Sequence, residues 1–382
     1  MLTGPPTASR PGPDPTETTP FGPLDSPSIA PGEARRVAGD SGWRWARRGL
    51  LLIYALLYLW SFQVHGVPIS RKSVMLSVLI PVVIGQVGRP WRRWVWTVLE
   101  LAVYVAMWFA YDYSRGVADR LGFPLQVEMP RNIDRFLFLG TDPNVWAQHH
   151  FYDPAHVRWY DVAGSIVYYT HFVLPVALAV ILWVSNRAQW GRYVRRFSTV
   201  LFAGVIGFIV LPTVPPWMAS STKFPFRILE PLARPTTRGW AHLGRKAFVD
   251  WVIQGRDWAN PTAAMPSLHA GFALLVPLFL WPFVKRRWAR IPLAIFPLLM
   301  AITIVYFGEH YVADVLGGWL VVAGSFLFWG WWERRRAAAG LPVHGPIGRV
   351  LRRWLGEPTA GLTNWSGSGA GLPDPETTPP LG

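Results

Sequence analysis

Eight apolar stretches, each near the length that crosses a bilayer, run through this chain of 382 residues: near 49–65, 73–88, 94–111, 162–184, 196–213, 267–285, 290–307 and 310–332. Hydrocarbon offers a backbone no water, so every N–H and C=O in such a stretch must be paired within it, which a helix does. The expected fold class is therefore all-α, a polytopic membrane helix bundle. Composition agrees: 51% of the residues are hydrophobic, 23 are Trp, and only 15% are charged, which is too apolar for an ordinary soluble domain. The absence of Cys excludes disulfides, thiolate metal sites and a Cys nucleophile.

The formal charge of +15 reads as topology. Basic residues cluster in short runs between apolar segments: Arg44, Arg47 and Arg48, then Arg89 to Arg93, Arg192 to Arg196, Lys285 to Arg290 and Arg334 to Arg336. They form no single basic face, so nucleic acid is not an expected partner. The positive-inside rule places these runs and both termini in the cytoplasm of a multi-pass cell-membrane protein. The loops at 112–161 and 214–266 then face outward and are expected to carry short helices packed over the membrane surface. The first apolar stretch follows some forty residues rich in Pro, Gly, Ser and Thr, a placement unlike that of a signal peptide. Residues 1–42 and 337–382 are expected to be disordered tails flanking a membrane-embedded catalytic domain at 43–336.

Two segments open with ionisable residues at the outer face: Pro266-Ser267-Leu268-His269-Ala270-Gly271, and Gly308-Glu309-His310-Tyr311-Val312-Ala313-Asp314. Ionisable groups at a membrane segment mark function by default. His310 and Asp314 stand at i and i+4, one face of a helix, where the carboxylate can accept a ring N–H and leave the other nitrogen as a base or nucleophile. His269 can serve as the opposite member of an acid/base pair, giving a proton to a leaving alkoxide. Plainer readings exist: an interfacial His is usually a surface residue, and Ser267 is also a natural helix N-cap. Two His and one Asp can hold zinc, yet neither loop adds the further carboxylates that zinc hydrolysis usually brings, so no metal and no cofactor are expected. Trp217, Trp240, Trp251 and Trp258 read most simply as an aromatic belt.

These two motifs resemble the second and third signature motifs of the type 2 phosphatidic acid phosphatase superfamily. Their wording is most similar to its inositolphosphotransferase branch, which includes the fungal inositol phosphorylceramide synthases. The similarity in pattern runs from about 95 to 332, through Tyr111-Asp112-Tyr113-Ser114-Arg115, Asn132-Ile133-Asp134-Arg135 and Pro212-Thr213-Val214-Pro215-Pro216-Trp217. The resemblance implies a six-helix core, here with about two additional helices, and a metal-independent reaction on a lipid phosphoester. It also implies that His310 attacks phosphorus to form a phosphohistidine, that Asp314 orients it, and that His269 protonates the leaving group.

Two departures bear on phosphate binding. Thr303-Ile304 stands where the superfamily's phosphatases have Ser-Arg, and the first motif is matched only by Arg227 with Arg234-Pro235, with Arg in place of Lys. A phosphoryl transition state needs fixed cations or helix N-termini on its equatorial oxygens. Arg115, following Tyr111 and Asp112, is the leading candidate, with Arg234, Arg238, Arg245 and Lys246 behind it. Candidate substrate-binding residues are thus Arg115, Ser267, Tyr111, Asp112 and Tyr311. The expected activity is an integral-membrane phosphotransferase with a membrane lipid substrate. A lipid phosphate phosphatase using the same site is the first alternative, and a non-catalytic transporter or scaffold the second. Protein partners are not legible.

Overall fold

The computed structural model describes residues 31–65, 71–256 and 260–340. They form α1 (Pro31–His65), α2 (Arg71–Gln86), α3 (Trp91–Leu121), α4 (Met129–Leu137), α5 (Pro143–Phe151), α6 (Trp159–Ser185) and α7 (Arg187–Val210), followed by α8 (Pro216–Ala219), α9 (Arg238–His242), α10 (Lys246–Arg256), α11 (Leu268–Leu280), α12 (Arg287–Tyr306) and α13 (Val312–Ala338). The eight apolar stretches correspond to α1, α2, α3, α6, α7, α11, α12 and α13, and the short helices fall in the two long loops. Residues 1–30 and 341–382, most of the two expected tails, lie outside the described residues, and α1 already begins at Pro31.

The chain is a multi-pass membrane protein: α6, α7, α12 and α13 are each long and apolar enough to cross a bilayer. Residues 268–283 make a shorter apolar segment. Six helices pack into one bundle: α11 contacts α6, α7, α12 and α13, α7 contacts α6 and α13, α12 contacts α6, and α3 lies on α7. The α1–α2 pair packs chiefly on itself. The six-helix core with two additional helices is thus the architecture observed.

Helix ends follow local chemistry. The Asn186 side chain accepts the Gln189 N–H at 3.0 Å to start α7, and α3 stops at Gly122 in the left-handed region with φ 67°. Among the described residues the only β-type pairing is a pair of isolated bridges at Thr213, to Gln126 and to Ala263. They knit the two long loops together over one end of the bundle.

The buried centre is α11, whose Ala270, Gly271, Phe272, Ala273, Leu275, Val276 and Phe279 are all enclosed. On one side Phe272, Leu275 and Phe279 meet Tyr193, Phe197 and Phe208 of α7. On the other, Ala270 and Ala273 meet Met300, Ile304 and Phe307. Lipid tails are as apolar as these side chains, so such helices associate through close packing of small residues. Gly318 of α13 is the tightest example: a Cβ there would lie 2.2 Å from the Ser267 carbonyl oxygen.

Gly318→Ala is therefore expected to destabilise the bundle by roughly 1–3 kcal/mol through overpacking. Gly324→Ala, on the same helix with nothing within 4 Å of its added Cβ, should be neutral. Thermal melts of both variants in detergent, followed by tryptophan fluorescence, measure the difference.

Candidate active site

The two motifs meet because the first turns of α11 and α13 are joined. The Ser267 N–H donates to the Asp314 carbonyl at 2.9 Å, and the glycine at 318 lets the backbones touch. The Ser267 hydroxyl, fully buried, accepts the Ala270 N–H at 3.2 Å and so caps α11. His269 is the second residue of α11 and His310 immediately precedes the Tyr311 cap of α13, and there the imidazoles come together: His269 Nδ1 lies 3.2 Å from His310 Nε2. On the far side of its ring, His310 Nδ1 faces Asp314 Oδ2 at 3.4 Å, a long contact. The same Oδ2 accepts the Tyr311 N–H at 2.9 Å, which fixes the carboxylate, while Oδ1 is buried with no hydrogen-bond partner among the described residues. The expected trio of His269, His310 and Asp314 is thus a chain of contacting groups.

His269 is held by rings from α6. Tyr168 stacks on it at 4.7 Å between centroids and His171 at 4.1 Å, with Phe172 edge-on at 5.9 Å. Tyr168 and His171 are i and i+3 on α6, so one helical face presents both. His171 is a third histidine at the site, in a segment read from sequence only as a membrane span.

The α12–α13 turn is clamped from α4 and α5. Asp134, with no solvent exposure, accepts the N–H groups of Val312 at 2.8 Å and Ala313 at 2.7 Å, so a residue 178 positions away caps α13. Burial pushes its carboxyl up to about 6, against the pull of those two bonds. Asn144 donates to the carbonyls of Val305 and His310 at 2.8 and 2.9 Å. One turn later Gln148 donates to Tyr306 and Ala233, and accepts the Ala233 N–H.

Pinning Ala233 places the next residue. Arg234 forms a fork with Glu309, Nε to Oε1 at 2.5 Å and Nη2 to Oε2 at 3.0 Å, and its guanidinium lies 4.2 Å over the Trp217 ring. Burial opposes its charge, but the Glu309 carboxylate more than offsets this and holds its pKa above the usual arginine value. The Arg234-Pro235 pair of the first-motif match therefore reaches the site, whereas Arg227 is exposed. Ile304, at the position of the missing arginine, is fully buried in the core, so α12 has no room there for a cation.

The other candidates are placed as follows. Arg238 is tied to the Asp153 carbonyl and lies 3.8 Å from Asp161, Lys246 pairs with Asp250 on the surface, and Arg245 is exposed. The Tyr311 ring is 1% exposed in an apolar cluster with Val214, Met218 and Ala313, and its hydroxyl has no hydrogen-bond partner among the described residues. Trp217 lies beneath Arg234, Trp240 donates to the Ser165 carbonyl and Trp251 packs on Phe248, while Trp258 lies outside the described residues. The side chains of Tyr111, Asp112 and Arg115 also lie outside the described residues. Among the described residues no three His, Cys, Asp or Glu side chains are grouped to hold a metal ion.

Comparison with known proteins points the same way. Residues 132–328 match the model of a family described as the PAP2 superfamily. The chain is similar to a phosphoinositol dihydroceramide synthase of Bacteroides thetaiotaomicron, 29% identical over 295 residues that cover 74% of this chain and 90% of that protein. No solved structure matches.

Asp134 pins the turn after His310 and His171 stacks on His269, and each contact makes a prediction. Asp134→Ala should lower kcat roughly 10- to 100-fold with little change in KM, since it loosens the turn that holds His310. His171→Phe, which keeps a flat ring against His269, should retain most of the turnover that His171→Ala loses. Steady-state kinetics on protein checked for folding reads both.

Proposed function

The chain belongs to the PAP2 superfamily, and from that membership we propose that this membrane enzyme of lipid phosphoesters transfers a phosphorylated headgroup between lipids through a phosphohistidine at His310. The observation that carries the reading is the relay from Asp314 through His310 to His269. His310 Nδ1 faces a carboxylate, which leaves Nε2 as the nucleophile, and the nearest group to Nε2 is the imidazole that must move the proton.

The proposed steps follow from those positions. The phosphate enters between the two rings and replaces the Nε2–Nδ1 contact. His310 Nε2 attacks phosphorus, the bond from phosphorus to the donor's alkoxide breaks, and protonated His269 gives that oxygen its proton. Neutral His269 then takes the proton of an acceptor hydroxyl, whose oxygen attacks phosphorus and releases His310. Arg234, held by Glu309 and by Trp217, is the proposed cation for the equatorial oxygens, supplemented by the N-termini of α11 and α13. A role for Arg115 remains part of this reading, because it lies on the helix that packs on α7. No metal takes part in the proposed steps.

The likeness to a phosphoinositol dihydroceramide synthase supports an inositol phosphate headgroup and a sphingolipid-type hydroxyl as acceptor. For sidedness, the basic run at the start of α7 joins the basic end of α13 through Glu333. That end is opposite the histidines, which supports an extracytoplasmic site with both termini in the cytoplasm.

Three measurements test this. His310→Ala, His269→Ala and Asp314→Asn should each cut turnover roughly 10³-fold or more while leaving the protein folded, and chelator should leave wild-type turnover unchanged. Restoration by zinc after chelation would replace the phosphohistidine with a metal site. Labelled phosphoinositol lipid incubated with and without an acceptor lipid should deliver label to the acceptor; water-soluble product alone, whatever the acceptor, makes the enzyme a hydrolase. A tag between 214 and 256 should be reached from outside intact cells, and access only from the cytoplasm overturns the sidedness.

A further inference from the structure

From the basic end of α7, the end away from His310, a groove of about 520 Å³ runs along α7 beside Trp329 of α13. Its floor and walls are Val194, Phe202, Ala203, Ile206 and Trp329, with Arg195 and Ser198 among the few polar residues lining it. From Val194 to Ile206 the groove follows α7 for about 18 Å at the helical rise of 1.5 Å per residue, close to the depth of one leaflet. Phe202 and Ile206 are exposed, so the groove opens on the side that faces hydrocarbon.

Charge is not balanced at its basic end. Arg195 and Arg196 share the single carboxylate of Glu333, at 3.0 Å for Arg195 and 3.0 and 3.1 Å for Arg196, which leaves a net positive charge there. Neither α7 nor the rest of α13, apart from Asp314 at its far end, contains another acid, while Arg192, Arg334, Arg335 and Arg336 add to the excess. Arg195 uses Nη2 on Glu333, and its buried Nε has no hydrogen-bond partner among the described residues. The Ser198 hydroxyl one turn below is likewise buried and without a partner among them. Trp329 and Trp332 hold the guanidinium between 5.3 and 5.5 Å from their rings. An unpaired buried donor costs stability until an acceptor reaches it. A phosphate oxygen supplies that acceptor and the missing negative charge together.

We propose that this groove binds an anionic phospholipid of the leaflet farther from the histidines, with one acyl chain along Val194, Phe202 and Ile206 and the headgroup phosphate at Arg195. The lipid would fill the seam where α7 and α13 diverge. It would hold together two helices that frame α11, and its phosphate site is separate from the substrate because Arg195 lies at the end of α7 opposite His310.

The test uses the full chain in nanodiscs of phosphatidylcholine alone or with added phosphatidylglycerol, read by melting temperature and by native mass spectrometry. The wild type should melt several degrees higher with phosphatidylglycerol and retain it as an adduct. Arg195→Ala should lose that preference, with phosphatidylglycerol held roughly tenfold more weakly, while melting normally in phosphatidylcholine. Because removing Arg195 also removes its packing on two tryptophans, Ala203→Phe is the second variant: it fills the groove, keeps the cation and should also abolish the adduct. His310→Ala should keep the full response. Equal melting in both lipids, the same stabilisation by inorganic phosphate, an undiminished response in both groove variants, or its loss in His310→Ala would each overturn the proposal.

Discussion

One backbone hydrogen bond, from the Ser267 N–H to the Asp314 carbonyl, carries the geometry of the site. It joins the first turn of α11 to the first turn of α13, and a glycine at 318 is what lets the two backbones come close enough to make it. His269 lies two residues after the α11 cap and His310 one residue before the α13 cap, so once the two starts are locked the imidazoles meet. In a bilayer, where apolar side chains gain nothing by leaving lipid for one another, close contact and a satisfied backbone bond are strong reasons for two helices to stay together.

The loop layer over that junction explains why so many polar groups are buried there. Asp134 satisfies N–H groups that the start of α13 cannot pair within itself, and Asn144 and Gln148 satisfy the carbonyls left free where α12 ends. The helix termini are thereby fixed by side chains from α4 and α5. The Glu309–Arg234 fork places a cation in this layer, next in the chain to His310. Position 304 is packed into the core, so the cation comes from the loop above, which Gln148 holds in place.

Legibility followed the range of the interactions. Bilayer-length apolar runs fixed the number and order of the long helices, because each such helix satisfies its own backbone. The i,i+4 spacing of His310 and Asp314 was equally local. Arg234 was visible as half of an incomplete motif but ranked behind Arg115, since spacing along a chain does not say which loop folds over which helix end. His171 gave no signal: it sits inside a membrane-length run, and only the approach of α11 to α6 puts it against His269. Asp134 stood in a quoted run of residues without a role, because its partners lie 178 and 179 positions away.

The sequence by itself therefore determined the helical class, the multi-pass character, the family resemblance and the candidate trio of His269, His310 and Asp314, all of which rest on composition or on local motifs. Tertiary structure alone decided that the two motifs touch and that Arg234 stands beside them. It also decided that Asp134 caps α13, and that α6 supplies the rings around His269. These depend on contacts between segments far apart in the chain, whose distances are set by packing against α11 and leave no periodic trace in the order of residues.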